Sequence, residues 1–177
     1  MKIFAWRKSR RPKSKVANVT AIHLTVAAVI EKRQSFLFVE ELVHGRKVIN
    51  QPAGHVESGE SLQSAVVREM LEETAWQFIP SAIVGVYLWT HPESKERFLR
   101  VVFTGQIQNH DAMRELDEGI LRTLWLSRDD LLKRSESLRS PMVLRAVDDY
   151  QAGARFPVNM FQQIEMDKLA SHAQQVV

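Results

Sequence analysis

The chain has 177 residues, 45% hydrophobic and 25% charged, the balance of a globular domain of ordinary size with its own core. It has no cysteine, which excludes disulfides, thiolate metal sites and cysteine nucleophiles, and no apolar run approaches the roughly 18 residues of a membrane span. The net charge of +3 misleads: seven of the 24 basic residues fall in the first 20 positions, which hold no acid, and the other 17 face 21 acidic residues, leaving −4 on residues 21–177. That body lacks the excess positive charge of a nucleic-acid-binding domain.

Residues 1–20, with Lys2, Arg7, Lys8, Arg10, Arg11, Lys13 and Lys15, predict a mobile basic arm. They lack the apolar stretch of a secretory signal. We take the arm as a solvated tail; contact with RNA, membrane phosphate or a protein partner is the functional alternative. Its Arg-rich start also bears a weak likeness to an organelle transit peptide.

Residues 23–30 (HLTVAAVI) form a buried-strand candidate, and residues 36–39 the next, joined by a polar turn. His44 and Gly45 mark a second turn. Residues 48–53 run extended, since Pro52 disfavours helix at Gln51. Ser58, Gly59, Glu60 and Ser61 can turn the chain and cap a helix over residues 62–73. Pro80 marks a loop after that helix. Strands over residues 83–89 and 97–106 flank the polar loop 91–96, a hairpin that would overhang a site. A polar loop (108–118) and a short strand (121–126) follow. Ser127 with Asp130 three residues on predicts a capped helix. Pro141 starts a last helix to about residue 151, ended by Gly153. The reading is one α+β domain over residues 21–165, with a weakly specified tail at 166–177.

Glu69, Glu72 and Glu73 stand near the end of the predicted central helix, at offsets of three and four that share one face. Val66, Val67 and Met70 fall mostly on the other side. Like charges at i,i+4 cost roughly 0.2–0.5 kcal/mol, and carboxylates in a last turn oppose the helix dipole by roughly 0.3–1 kcal/mol. A divalent cation reverses the sign of these terms, and clustered hard oxygens suit Mg²⁺ or Mn²⁺. A solvated acidic face is the bland alternative.

Gly54, Glu60, Arg68, Glu69, Glu72 and Glu73, with Met70 and Trp76 at apolar positions, resemble the Nudix box G-x5-E-x7-R-E-U-x-E-E-x-G-U, where U is bulky and apolar. The departure inside the box is Ala75, where the family usually has glycine just past the helix; a left-handed backbone there costs alanine about 1 kcal/mol. The resemblance implies an α-β-α sandwich with a mixed sheet and a loop-helix-loop motif. It implies hydrolysis of diphosphates linked to another group, with Mg²⁺ or Mn²⁺ held by Gly54, Glu69, Glu72 and Glu73. One glutamate would act as general base, Arg68 would orient a glutamate, and Glu60 would hold the box loop. A further acid often comes from a loop outside the box; Glu118 is the candidate, with Asp117 next.

The segments Phe38-Val39-Glu40-Glu41, Asn50 to His55, Phe98-Leu99-Arg100, Leu138 to Pro141 and Tyr150 to Gly153 are similar to the NudJ-type group within that family. Ala53, in place of the usual glycine, fits that group. The similarity implies a monomeric, cytoplasmic phosphatase of thiamine diphosphate, hydroxymethylpyrimidine diphosphate and nucleoside di- or triphosphates. For that work Asn50 and Gln51 could bond a ring edge, Arg100 a terminal phosphate, and Phe38 or Trp89 could stack on a ring. The alternatives are a pyrophosphohydrolase of nucleotides or triphosphate-ended RNA, and a non-catalytic nucleotide sensor, which would be expected to lose box carboxylates that are intact here.

Overall fold

The computed structural model describes residues 21–164; the basic arm expected at 1–20 and the tail expected from 166 lie outside the described residues. The chain forms β1 (Ile22–Ala28), β2 (Glu31–Lys32), β3 (Ser35–Val43), β4 (Arg46–Asn50), β5 (Ala53–His55) and helix α1 (Leu62–Thr74). There follow β6 (Gln77–Thr90), β7 (Arg97–Gln108), β8 (Ile120–Leu126), α2 (Arg128–Lys133) and α3 (Met142–Gln151). One sheet has the order β5-β1-β7-β6 and is mixed, with β1 parallel to β7 and antiparallel to β5. In the other, β3 pairs with β8 on one edge and with β2 and β4 on the other, all antiparallel.

Alternation along the strands builds the layers. Val26, Ala28 and Ile30 pack with Ala65, Val66 and Met70 of α1, while Ala27 and Val29 pack with Val143, Ala146 and Val147 of α3. Strand β7 divides likewise, Val101 and Phe103 to one side and Val102 to the other. Strands covered on both faces read as continuous apolar runs, and each fully buried aliphatic side chain contributes roughly 1.5–3 kcal/mol. The result is an α+β sandwich in which a mixed and an antiparallel sheet pack with the helices. Tyr87 of β6 donates to Asp149 Oδ2 of α3 over 2.9 Å, fixing that helix on the sheet.

The helix ends follow their sequence signals. Ser61 accepts the N–H of Ser64 over 3.0 Å at the start of α1. Ser127 and Asp130 complete both halves of a capping box. Pro80 departs from expectation. It lies inside β6, opposite Gly105, where the register shifts before Ala82. An edge strand with a bulge tolerates proline, because no ladder N–H is required of it. Gly105 opposite is obligatory in another sense: a Cβ there would collide with the carbonyl of Ile79.

Candidate active site

Arg68 is the hub of the box. Its Nε donates to Glu60 Oε1 at 3.0 Å and its Nη2 to Glu60 Oε2 at 2.9 Å, a bidentate pair across eight residues. Its Nη1 reaches Glu69 Oε1 at 2.7 Å and Glu72 Oε2 at 2.9 Å, and Nη2 also bonds the His55 carbonyl at 3.0 Å. The hydrogen bond from Arg68 holds Glu60 below the usual carboxylate range. Glu60 Oε2 also accepts the N–H of Glu57, so it closes the box loop. One guanidinium thus joins the loop, the helix and two of its acids.

Glu69 and Glu73 are both buried, on the edge of α1 that faces β5. Glu73 Oε2 accepts the N–H of Ala53 at 2.8 Å. The Glu69 carboxylate lies so close to Gly54 that a Cβ there would collide with it. Burial pushes the Glu73 pKa up to about 8, helped by the negative charges of Glu69, Glu41 and Asp117 and opposed by the Ala53 amide. Burial also raises Glu69, against the pull of Arg68. Both acids are desolvated, and only Glu69 has a guanidinium against it.

Ala53 and Gly54 also line a cleft of about 890 Å³, walled by β1, β3, β4, the β6–β7 hairpin and the segment before α3. Arg100 lies in its lining and is only 7% exposed. It donates to Asn50 Oδ1 at 3.1 Å and approaches Thr25 Oγ1 at 3.5 Å. Desolvation lowers its pKa to about 10, although Glu41 and Glu73 favour the charged form. Trp89 lines the cleft, tilted against Phe98 at 5.8 Å, and His23 stacks on Phe98 at 4.9 Å. His55 faces His23 over 3.3 Å, and desolvation lowers its pKa.

The structure gathers Gly54, Arg68, Glu69, Glu72 and Glu73 at the box and places Asn50, Arg100 and Trp89 in the cleft that Gly54 also lines; Arg68 and the three acids are not in the lining of that cleft. It does not bring Phe38 or Gln51 to the cleft. Phe38 is fully buried in the core with Phe36 and Val143. Gln51 is turned inward, its Nε2 donating to the Val143 carbonyl at 2.7 Å. Asn50 is occupied by Arg100 and so acts on that guanidinium first. Glu118 is exposed on the loop before β8, and its neighbour Asp117 is the loop acid whose charge acts on Glu69 and Glu73. Asp117 N–H also bonds the Glu72 carbonyl at 3.1 Å, tying that loop to α1.

Glu41 and Arg139 are site residues that motif spacing does not mark. Glu41 lines the cleft, its Oε1 is buried without a hydrogen bond, and Oε2 stands 3.8 Å from Arg139 Nη1. The signal available was strand alternation, which places Leu37, Val39 and Glu41 on one side of β3. Leu37 packs on the α1 side.

The NUDIX domain profile matches residues 21–146. The chain belongs to the Nudix family. It is 38% identical to phosphatase NudJ of Shigella boydii over 138 residues, which is 78% of this chain and 89% of the relative. It is 37% identical to phosphatase NudJ of Escherichia coli strain K12 over the same shares. A solved Nudix hydrolase from Nitrosomonas europaea superposes with a TM-score of 0.79 at 41% identity, covering 81% of this chain and 98% of that one. The chain is thus a Nudix hydrolase of the NudJ-like kind, acting on phosphoanhydrides.

Nudix hydrolases use divalent metal ions. The donors present fit one: Glu69, Glu72 and Glu73 are hard oxygen ligands, and the first two contribute only one oxygen each to Arg68. Burial raises the pKa of both Glu69 and Glu73, and a bound cation would favour their ionised forms. Among the described residues, as the side chains stand, no three acids or histidines close on one point. Also among the described residues, no helix is long and apolar enough to cross a membrane.

Proposed function

We propose that the enzyme removes the terminal phosphate from small diphosphorylated and triphosphorylated metabolites with Mg²⁺, Mn²⁺ being the alternative ion, and works as a monomer in the cytoplasm. The substrate class is thiamine diphosphate, hydroxymethylpyrimidine diphosphate and nucleoside di- or triphosphates. The observation that carries the reading is Arg100: a buried guanidinium in the cleft lining, held by the neutral Asn50 and beside the box acids. Buried charges require partners, and a phosphate oxyanion in the cleft supplies one. The two NudJ relatives are named as phosphatases, which agrees.

Glu69, Glu72 and Glu73, with the Gly54 carbonyl and an acid of the loop before β8 (Glu118 or Asp117), would hold the ion. Bound there, it would neutralise phosphate oxygens and acidify a water. The protein's part is placement and charge. Water oxygen bonds to the terminal phosphorus, the bond from that phosphorus to the bridging oxygen breaks, and the bridging oxygen leaves with the rest of the substrate. A box glutamate takes the proton of the water. Arg68 holds Glu69 and Glu72 in place while this happens. Trp89 offers a face to the organic part of the substrate.

The test measures orthophosphate and pyrophosphate separately, from thiamine diphosphate, nucleoside di- and triphosphates and triphosphate-ended RNA, with chelator and Glu73→Gln as controls. Metal-dependent orthophosphate from the small substrates supports the proposal. Pyrophosphate release, or turnover of RNA alone, replaces it with a pyrophosphohydrolase that uses the same acids.

A further inference from the structure

Two cationic side chains line this cleft, and neighbouring residues of β4 hold both. Asn50 Oδ1 accepts from the Arg100 guanidinium at 3.1 Å. Ile49, the residue before it, accepts the backbone N–H of Arg139 at 2.9 Å, and Ile49 and Leu138 form a parallel bridge. Arg139 and Arg100 both line the cleft. The Arg139 side chain is 40% exposed, and its ion pair with Glu41 spans 3.8 Å, too long for a hydrogen bond. The charge of Arg139 depresses the pKa of Arg100.

We infer that Arg100 and Arg139 form a two-arginine seat for a terminal phosphate, and that Arg139 is the residue that makes the enzyme prefer a free phosphate end to a capped one. This rests on the phosphatase reading above and deepens it. A terminal phosphate carries about one more negative charge than an internal diester phosphate and leaves three oxygens open to donors. A single arginine meets either kind. A terminal group has the charge and the open oxygens to engage two guanidiniums that line one cleft, and a capped phosphate has fewer of both. Each guanidinium can bond the terminal group without losing its anchor, because Arg139 is held through its backbone and Arg100 has donors to spare beyond Asn50. Arg139 exchanges its long contact with Glu41 for short contacts with phosphate. The seat shares its cleft with Ala53 and Gly54, whose backbones meet Glu73 and Glu69 on their other side, so the cleft borders the box acids.

The experiment compares the full-length enzyme with Arg139→Gln and Arg139→Lys on ADP and on the same diphosphate capped at its terminal phosphate with a methyl group. Far-UV circular dichroism checks that each variant is folded. For Arg139→Gln the expected result is a KM for ADP raised at least about tenfold, equivalent to about 1.4 kcal/mol, with a kcat/KM for the capped compound within about twofold of wild type. Arg139→Lys recovers part of the ADP affinity, as a point charge without the fork. Equal losses on both compounds, or no loss on either, overturn the inference. Calorimetric binding of α,β-methylene-ADP to wild type and Arg139→Gln decides the seat without turnover. Wild type that fails to release phosphate from ADP therefore counts against the phosphatase reading alone, while equal binding by the two proteins counts against the seat.

Discussion

The backbone N–H of Ala53 donates to Glu73 Oε2 over 2.8 Å, joining the strand that leads into the box to the last turn of the helix that ends it. One amide does not offset the burial of a carboxylate that is only 8% exposed and shares its surroundings with Glu69, Glu41 and Asp117. The site is assembled at the expense of stability, and the cost is readable in the pH response.

In the metal-free protein, burial raises Glu73 from 4.5 to about 8. The folded state therefore holds a proton that the unfolded state releases at lower pH. The stabilisation is complete below about pH 4.5 and is lost as pH rises through 8, to a total of up to about 5 kcal/mol. Glu69, also raised, acts in the same direction. Thermal melts in chelator should show Tm falling between pH 5 and pH 9, and saturating Mg²⁺ should flatten the slope by binding the ionised form. A flat profile in chelator would show that Glu73 is not desolvated as described.

Glu73→Gln keeps the size and the Ala53 hydrogen bond but removes the buried charge. Without metal at pH 8 to 9 the variant should melt above the wild type. Its kcat should be at least about a hundredfold lower, since a charged ligand and candidate base is gone. Stability up and activity down is the signature expected of a strained functional residue. A folded variant with near-normal turnover would remove Glu73 from the mechanism.

Arg68→Lys tests whether geometry or charge matters at the hub. Lysine retains one positive charge but cannot bond Glu60 through two nitrogens while reaching Glu69, Glu72 and the His55 carbonyl. The expected loss is about 1–3 kcal/mol of stability, as for buried groups left without partners, with kcat down about tenfold or more. Urea unfolding and steady-state kinetics on the same preparation check both.

The box was legible because its chemistry is local. Arg68, Glu69, Glu72 and Glu73 share a helix turn, and Gly54 and Glu60 sit at fixed offsets from it; the family resemblance carried by that spacing implied the roles of Arg68 and Glu60 that the hydrogen bonds display. The buried strands were legible, because strands covered on both faces become unbroken apolar runs; their layering between helices came from the family resemblance. Pro80 misled because a proline reads as a break, and only the pairing of β6 with Gly105 shows that it occupies a bulge on an edge. Phe38 and Gln51 misled for a related reason. A strand next to a site has one face toward it and one away, and one sequence without a fixed register does not say which. Glu41 and Arg139 fall in segments similar to the NudJ-type group, yet no site role was assigned to them, because they meet across 98 positions of chain.

Gly54→Ala should disable the site without unfolding the domain. The added methyl would overlap the Glu69 carboxylate, the movable end of a side chain, so Glu69 has to swing away while the backbone stays. The expected outcome is a Tm within a few degrees of wild type, weaker metal binding and kcat at least about tenfold lower. Full activity would mean that the Glu69 position seen here is not the working one.

Ala75 stands where the family pattern has glycine, and its backbone is left-handed, with φ 58° and ψ 13°. Glycine would relieve about 1 kcal/mol of strain there. The alanine is 2% exposed, however. Losing a buried methyl costs about 0.8 kcal/mol, and glycine also gives the unfolded chain more freedom, by roughly 0.4–1 kcal/mol. These terms nearly cancel, so Ala75→Gly should change stability by less than about 1 kcal/mol and leave kcat near wild type. Ala75→Val has no such compensation, because a β-branched residue at positive φ is a true outlier; it should cost well over 1 kcal/mol. Denaturant unfolding of the two variants side by side separates the accounts: a large gain from glycine would show that the buried methyl contributes little, and a tolerated valine would show that the helix end is free to rearrange.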